Sequence, residues 1–200
     1  MKVLNVIHSY TYKILDGSNV IGPVEEYRER DRKVANLVNA ALDSGSRVIM
    51  HQANHPSTPE GALDIAALFA DPIYHFIFDK RLEWAVTTLY GFPIPDRNDG
   101  RIPEDKWCEM EQVFTKHSML AELVQDAGEY LFIGGALENC VVNAACYFDM
   151  HFRQGNEMMA YVPEVCASFD QQLLEKMQKE FEKRNIHQIR YDEAVSLFSG

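Results

Sequence analysis

The sequence predicts an α/β fold: a three-layer, Rossmann-like architecture with a mainly parallel sheet flanked by helices on both faces. Three observations carry this expectation. Short runs rich in Val, Ile, Leu and Phe recur at 2–7, 47–51, 74–78, 130–133, 157–162 and 186–190. Longer amphipathic segments lie between most of them. The apolar runs show little polar alternation, as expected of parallel strands buried on both sides. At 200 residues, against roughly 150 per domain, one domain spanning 1–200 is expected. The 46% hydrophobic and 24% charged content excludes a disordered chain, a collagen-like fibre and a small disulfide scaffold.

The elements follow in order. Residues 2–7 read as a buried strand. The spacing predicts a helix over 25–44, with Val34, Leu37, Val38 and Ala41 on one face. It ends at Gly45, which can take the left-handed C-terminal cap. A strand follows at 47–51. Thr58-Pro59-Glu60 opens a helix to about residue 69, a capping hydroxyl preceding proline at the first helical position. Residues 74–78 read as a strand, and Asp79 as the cap of a helix carrying Leu82, Val86 and Leu89 that stops at Gly91. The stretch 91–103 holds three prolines and two glycines, the composition of a long lid or binding loop.

Residues 104–127 read either as one helix or as two helices around a short strand at 113–115. Beyond them the pattern sharpens. A strand at 130–133 runs into Gly134-Gly135, and a helix covers 139–153. Gly155 separates that helix from a strand at 157–162. Phe169-Asp170 opens a helix to 184, followed by a strand at 186–190 and a last helix from Asp192.

Composition also bears on partners. Nineteen basic against thirty acidic residues leave a net charge of -11. A surface of that sign repels phosphate backbones, so nucleic acid is not an expected partner. No apolar run approaches the roughly 18 residues of a membrane span, and the first eight residues do not read as a secretory signal. Cys108, Cys140, Cys146 and Cys166 form no CxxC pair. Free thiols in a reducing cytoplasm are therefore expected, without a cysteine-bound zinc.

In such folds ligands bind beyond the carboxyl ends of the strands. That directs attention to His8 and Ser9, residues 51–55, Lys116 and residues 134–140. Cys140 stands out among these. It falls in the first turn of a helix that follows a strand and two glycines. The positive end of a helix dipole stabilises a thiolate, and the orphan N–H groups there can bind a developing oxyanion. A small buried cysteine where strand meets helix is the plainer alternative.

Gly134-Gly135-Ala136-Leu137-Glu138-Asn139-Cys140-Val141, with Ala144-Ala145, Gly155 and the run from Val162 to Ser168, resembles the second half of the isochorismatase-like cysteine hydrolases, which include nicotinamidases. That signature reads Gly-x-Ala-Thr-x-x-Cys-Val. Upstream, Val113-Phe114-Thr115-Lys116 resembles the strand that carries the family's catalytic lysine. The stretch from Val48 through His51-Gln52-Ala53-Asn54-His55-Pro56 resembles the nicotinamidase segment ending Gln-Asp-Trp-His-Pro. Ile7-His8 falls where the family has Ile-Asp.

The resemblance implies a hydrolase in which Cys140 attacks an amide-type carbon and Lys116 lowers the thiol pKa. It also implies an oxyanion hole from the N–H groups of Ala136 and Cys140, a cis peptide at Gly135-Ala136, and Asn54, His55 and Leu137 at the substrate pocket. His8 replaces the family aspartate and stands either as the base or as a neutral structural residue. Asp16 is an alternative carboxylate, and Lys80 and Lys106 are alternative cations. Leu137 replaces the family threonine.

The nicotinamidase metal aspartate is Ala53 here, so no metal is expected, although His51 and His55 would share a face if that segment were helical. No cofactor is expected. The expected partner is a small-molecule substrate, and the family's habit implies a homo-oligomer, dimer or tetramer. Two other readings stay open: a catalytically degenerate member that binds a small molecule or protein, and a hydrolase of the vinyl-ether-cleaving branch.

Overall fold

The computed structural model describes residues 1–8, 24–52, 72–86 and 120–199. Six described strands form one sheet: β1 (Lys2–Ile7), β2 (Arg47–Gln52), β3 (Glu83–Val86), β4 (Glu129–Gly134), β5 (Met158–Cys166) and β6 (His187–Gln188). They lie in the order β3-β2-β1-β4-β5-β6, and every neighbouring pair is parallel. The described helices are α1 (Val24–Asp43), α2 (Leu120–Val124), α3 (Val142–His151), α4 (Gln171–Lys183) and α5 (Tyr191–Phe198). This is the three-layer, Rossmann-like arrangement that the sequence predicts.

The absence of alternation in the strands has the expected cause, because both faces of the sheet are covered. On one face Leu4, Val6, Val48, Met50, Leu131 and Ile133 pack with Val34, Leu37, Val38 and Ala41 of α1 and with Ala194 and Phe198 of α5. On the other, Val3, Ile7, Ile49, Tyr130 and Phe132 pack with Ala144, Ala145 and Phe148 of α3. Leu123 and Val124 of α2 and Met177 and Phe181 of α4 complete that layer. The predicted apolar face of 25–44 is the face that α1 buries. Helix α4 starts as predicted, with the Asp170 carboxylate accepting from the N–H groups of Gln172 and Leu173 at 2.8 and 3.1 Å.

Two expectations are corrected. Residues Pro72–Phe78 form a 3₁₀ helix rather than a strand. Tyr74 and Ile77, three apart, are buried while Phe78 is exposed, which breaks the period of two. The Tyr74 hydroxyl donates to Asp31 of α1 at 2.7 Å, and this contact holds the segment against that helix. The helix expected after Asp79 is instead a turn and then β3. The Asp79 carboxylate accepts from the Arg81 backbone N–H and guanidinium, and Trp84 and Ala85 pair with Met50 and His51. A run of apolar residues this short does not tell strand from helix, and tertiary contacts decide it.

Smaller differences concern boundaries: β5 runs on to Cys166, and β6 shortens to two residues. The helix expected over 58–69, the loop 91–103 and the strand at 113–115 lie outside the described residues. Among the described residues no helix is long and apolar enough to cross a membrane.

Candidate active site

The strand order reverses between β1 and β4. From β1 the chain passes to α1 on one face; from β4 it passes to α3 on the other. Their carboxyl ends therefore border a crevice, the switch point at which open α/β sheets bind ligands.

The end of β4 is built from backbone. Gly134 has φ +117°, and a Cβ there would lie 1.8 Å from the carbonyl oxygen of Ile7. Only glycine allows β4 to approach β1 this closely. Gly135 N–H donates to that same carbonyl at 2.6 Å, and a Cβ on Gly135 would meet Ala167 Cβ at 2.9 Å. The Gly135-Ala136 peptide is cis.

The chain then enters a π-helical turn, Leu137–Val141, that continues into α3. Asn139 N–H and Val141 N–H donate to Ala136 O at 3.2 and 3.0 Å. The start of the loop is stitched to the end of β5: Ala167 N–H donates to Gly134 O at 2.7 Å, and Leu137 N–H to Ala167 O at 2.8 Å. Cys140 sits inside this turn, 1% exposed, in the apolar cluster with Leu137 and Val141. It is thus a buried thiol at the N-terminal end of a helical segment, beside the switch point, where the dipole favours negative charge. Turns of this π type recur at functional sites.

The end of β1 is built from side chains. His8 is buried, with φ 38°, in the left-handed region. Its backbone N–H donates to His51 O at 3.4 Å. Burial lowers the His8 pKa to about 4, against a smaller opposing contribution from a hydrogen bond to the Gln52 backbone. The imidazole is therefore neutral at pH 7. Next to it, at the end of β2, His51 is lowered to about 3, first by burial and then by its proximity to His8.

His51 Nε2 lies 3.0 Å from Asn5 Oδ1. The amide oxygen only accepts, so the ring proton is on Nε2. The His51 ring also meets Phe148 of α3 edge-on at 5.9 Å.

The structure brings His8, Gly135, Ala136, Leu137 and Cys140 to one end of the sheet, at adjacent strand ends. Lys116, Asn54 and His55, with Lys106 and Asp16, lie outside the described residues. Lys80 precedes β3, so it sits at the opposite end of the sheet and does not serve as the alternative cation. Cys146 and Cys166 are free thiols. Burial raises the pKa of both, that of Cys166 to about 12.

Among the described residues no three His, Cys, Asp or Glu side chains converge on a point where a metal would fit. His51 is committed to Asn5 and Phe148. Sequence reasoning missed the Asn5–His51 pair and the stitching through Ala167. A polar residue inside an otherwise apolar β1 was the one signal available for the first, and nothing marked the second.

The fold and the switch-point cysteine define a class: an open parallel α/β protein with a buried cysteine in the π-helical turn that follows β4. No family model matches the chain, and no curated protein matches its sequence. Solved structures do match. A candidate MAR1 ribonuclease of Leishmania major is similar with a TM-score of 0.59 and 12% identity, over 99% of this chain and 82% of that one. The pyrazinamidase of Pyrococcus horikoshii, in complex with zinc, gives 0.52 and 14%, over 94% and 98%. PnC1 of L. infantum, in complex with nicotinate, gives 0.50 and 15%, over 96% and 93%. At these identities the likeness is one of fold alone, the three-layer, parallel-sheet α/β arrangement that the sequence predicts.

Proposed function

We propose that the chain is a cysteine hydrolase that cleaves an amide-type C–N bond of a small molecule, with Cys140 as nucleophile. The observation that carries this reading is the position of Cys140, in the turn that leads from the end of β4 into α3 at the switch point of the sheet. The pyrazinamidase and the nicotinate-bound protein that share the fold are consistent with a small carboxamide or carboxylate as the class of ligand.

In this mechanism the Cys140 thiolate adds to the carbonyl carbon. The N–H groups of Ala136 and Cys140 hold the oxyanion that forms. The C–N bond breaks, the amine leaves with a proton, and water hydrolyses the thioester. Neutral His8 accepts the thiol proton and Lys116 supplies the cation that stabilises the thiolate. Asn54, His55 and Leu137 shape the pocket. No cofactor or metal takes part in any step. The working unit is a single domain over 1–200, assembled as a cytoplasmic homo-oligomer, dimer or tetramer.

The test is the pH dependence of Cys140 alkylation, followed by peptide mapping, in the wild type and in the His8→Ala and Lys116→Ala variants. The expected result is a thiol pKa below the unperturbed value of about 8.5, rising in at least one variant. A pKa at or above that value in all three proteins overturns the hydrolase. It would leave a catalytically degenerate binding protein on the same fold, the reading that the missing aspartate at His8 favours.

A further inference from the structure

We infer that Glu138 is a positioning residue: its carboxylate clamps the turn that carries Cys140 onto the segment leading into α4. This rests on the hydrolase reading above, in which the geometry of that turn sets the reactivity of Cys140.

Glu138 lies two residues before Cys140 and is only 8% exposed. Carboxylates are almost never buried to this degree without partners. Its Oε1 accepts from the backbone N–H of Phe169 at 2.6 Å and of Asp170 at 2.9 Å. Those donors immediately precede α4, whose first-turn N–H groups at Gln172 and Leu173 are taken by the Asp170 carboxylate. One anionic side chain therefore joins the nucleophile turn to the start of a neighbouring helix. Charge-assisted bonds of this type are about twice as strong as neutral ones.

The clamp does not act alone, and its position shows what it adds. The Gly134–Ala167 and Leu137–Ala167 hydrogen bonds secure the start of the loop. Glu138 secures the part after Leu137, which carries Cys140 and its N–H group, one of the two that would face an oxyanion. Residues 138 and 140 point to different sides of a helical turn, so Glu138 acts on Cys140 through the backbone.

Two substitutions separate this role from a plain electrostatic one. Glu138→Gln removes the charge and keeps a carbonyl oxygen that can accept the same two bonds. Glu138→Ala removes both. If Glu138 acted only as a nearby negative charge, both variants would lower the Cys140 pKa. A clamp predicts a split. In Glu138→Ala the turn loosens and the thiol pKa rises by about one unit, whereas in Glu138→Gln it stays or falls.

The experiment measures the pH profile of Cys140 alkylation by iodoacetamide, mapped by peptide, together with backbone amide exchange in the full chain. In Glu138→Ala, exchange at Phe169, Asp170 and 136–141 is expected to quicken by about tenfold or more, with Glu138→Gln restoring most of the protection. Unchanged exchange at 136–141 in Glu138→Ala overturns the clamp, as does a pKa that falls alike in both variants. A wild-type thiol that titrates at or above its ordinary value refutes the hydrolase reading, and the exchange data then judge the clamp separately. If Glu138→Ala does not fold, Glu138→Asp replaces it, with the charge kept and the reach one methylene shorter: the clamp predicts quicker exchange at 136–141 and a raised thiol pKa, and unchanged exchange and pKa in Glu138→Asp overturn it.

Discussion

The two strand ends that meet at the switch point are built on different principles. β4 ends in glycines, and its shape is set by backbone: a positive φ at Gly134, an approach to Ile7 that excludes any Cβ, and a hydrogen-bonded turn around Cys140. β1 ends in a buried imidazole whose backbone occupies the left-handed region without being glycine, beside a second buried imidazole at the end of β2. The first end tolerates no side chain; the second depends on side chains kept neutral by burial. The difference teaches that the β4 end is sensitive to volume and the β1 end to protons.

The largest effect is expected at β4. Gly134→Ala places a methyl group 1.8 Å from Ile7 O at a φ that L-residues avoid, and β1 and β4 must separate to admit it. Loss of soluble folded protein, or destabilisation above about 4 kcal/mol in urea denaturation, is the expected outcome. Stability near that of the wild type would break the contrast, because it would show that the β4 end can relax.

The next effect belongs to β1 and β2 and depends on pH. Unfolded imidazoles titrate near 6.5, whereas folded His8 and His51 titrate at about 4 and about 3. Between these values the unfolded chain binds more protons. Stability is therefore whole above about pH 6.5 and falls as the pH drops toward 3, by on the order of several kcal/mol. Urea midpoints measured from pH 7.5 down to 4 test this. His8→Asn, a residue that tolerates the left-handed region, should remove part of the acid loss. An acid dependence unchanged in that variant would assign it to other groups.

The smallest effect sharpens the same comparison. Asn5→Ala deprives His51 Nε2 of its acceptor in a dry part of the sheet. A cost of about 1–3 kcal/mol is expected at pH 7.5, read from the urea midpoint. A neutral result would mean that the ring turns its proton to another partner.

Much of the architecture was legible in the residues. The Val- and Ile-rich runs read as buried strands because a parallel sheet covered on both faces needs no alternation. The Asp170 cap, the apolar face of α1 and the glycine pair ahead of Cys140 are local signals with local causes. The Pro72–Phe78 and Asp79–Val86 region was misread because its deciding contacts are distant. Tyr74 reaches Asp31, forty-three positions away, and β3 forms by adding to β2. At the site, Cys140 could be picked out from its place after two glycines. The clamp from Glu138 to Phe169 and Asp170 could not, since a single acidic residue in a motif does not name donors thirty-one and thirty-two positions away.

By itself, then, the sequence determined the alternation of elements, the parallel sheet and the cysteine at a helix start, because each follows from periodicity, caps and glycine conformations that act over a few residues. Only the tertiary structure decided the strand order that makes the β1–β4 crevice, the burial that keeps His8 and His51 neutral, and the stitching of the Cys140 turn to Ala167 and the start of α4. Those depend on which distant segments exclude water from one another and which backbone donors they bring within reach, and no short stretch of chain encodes that.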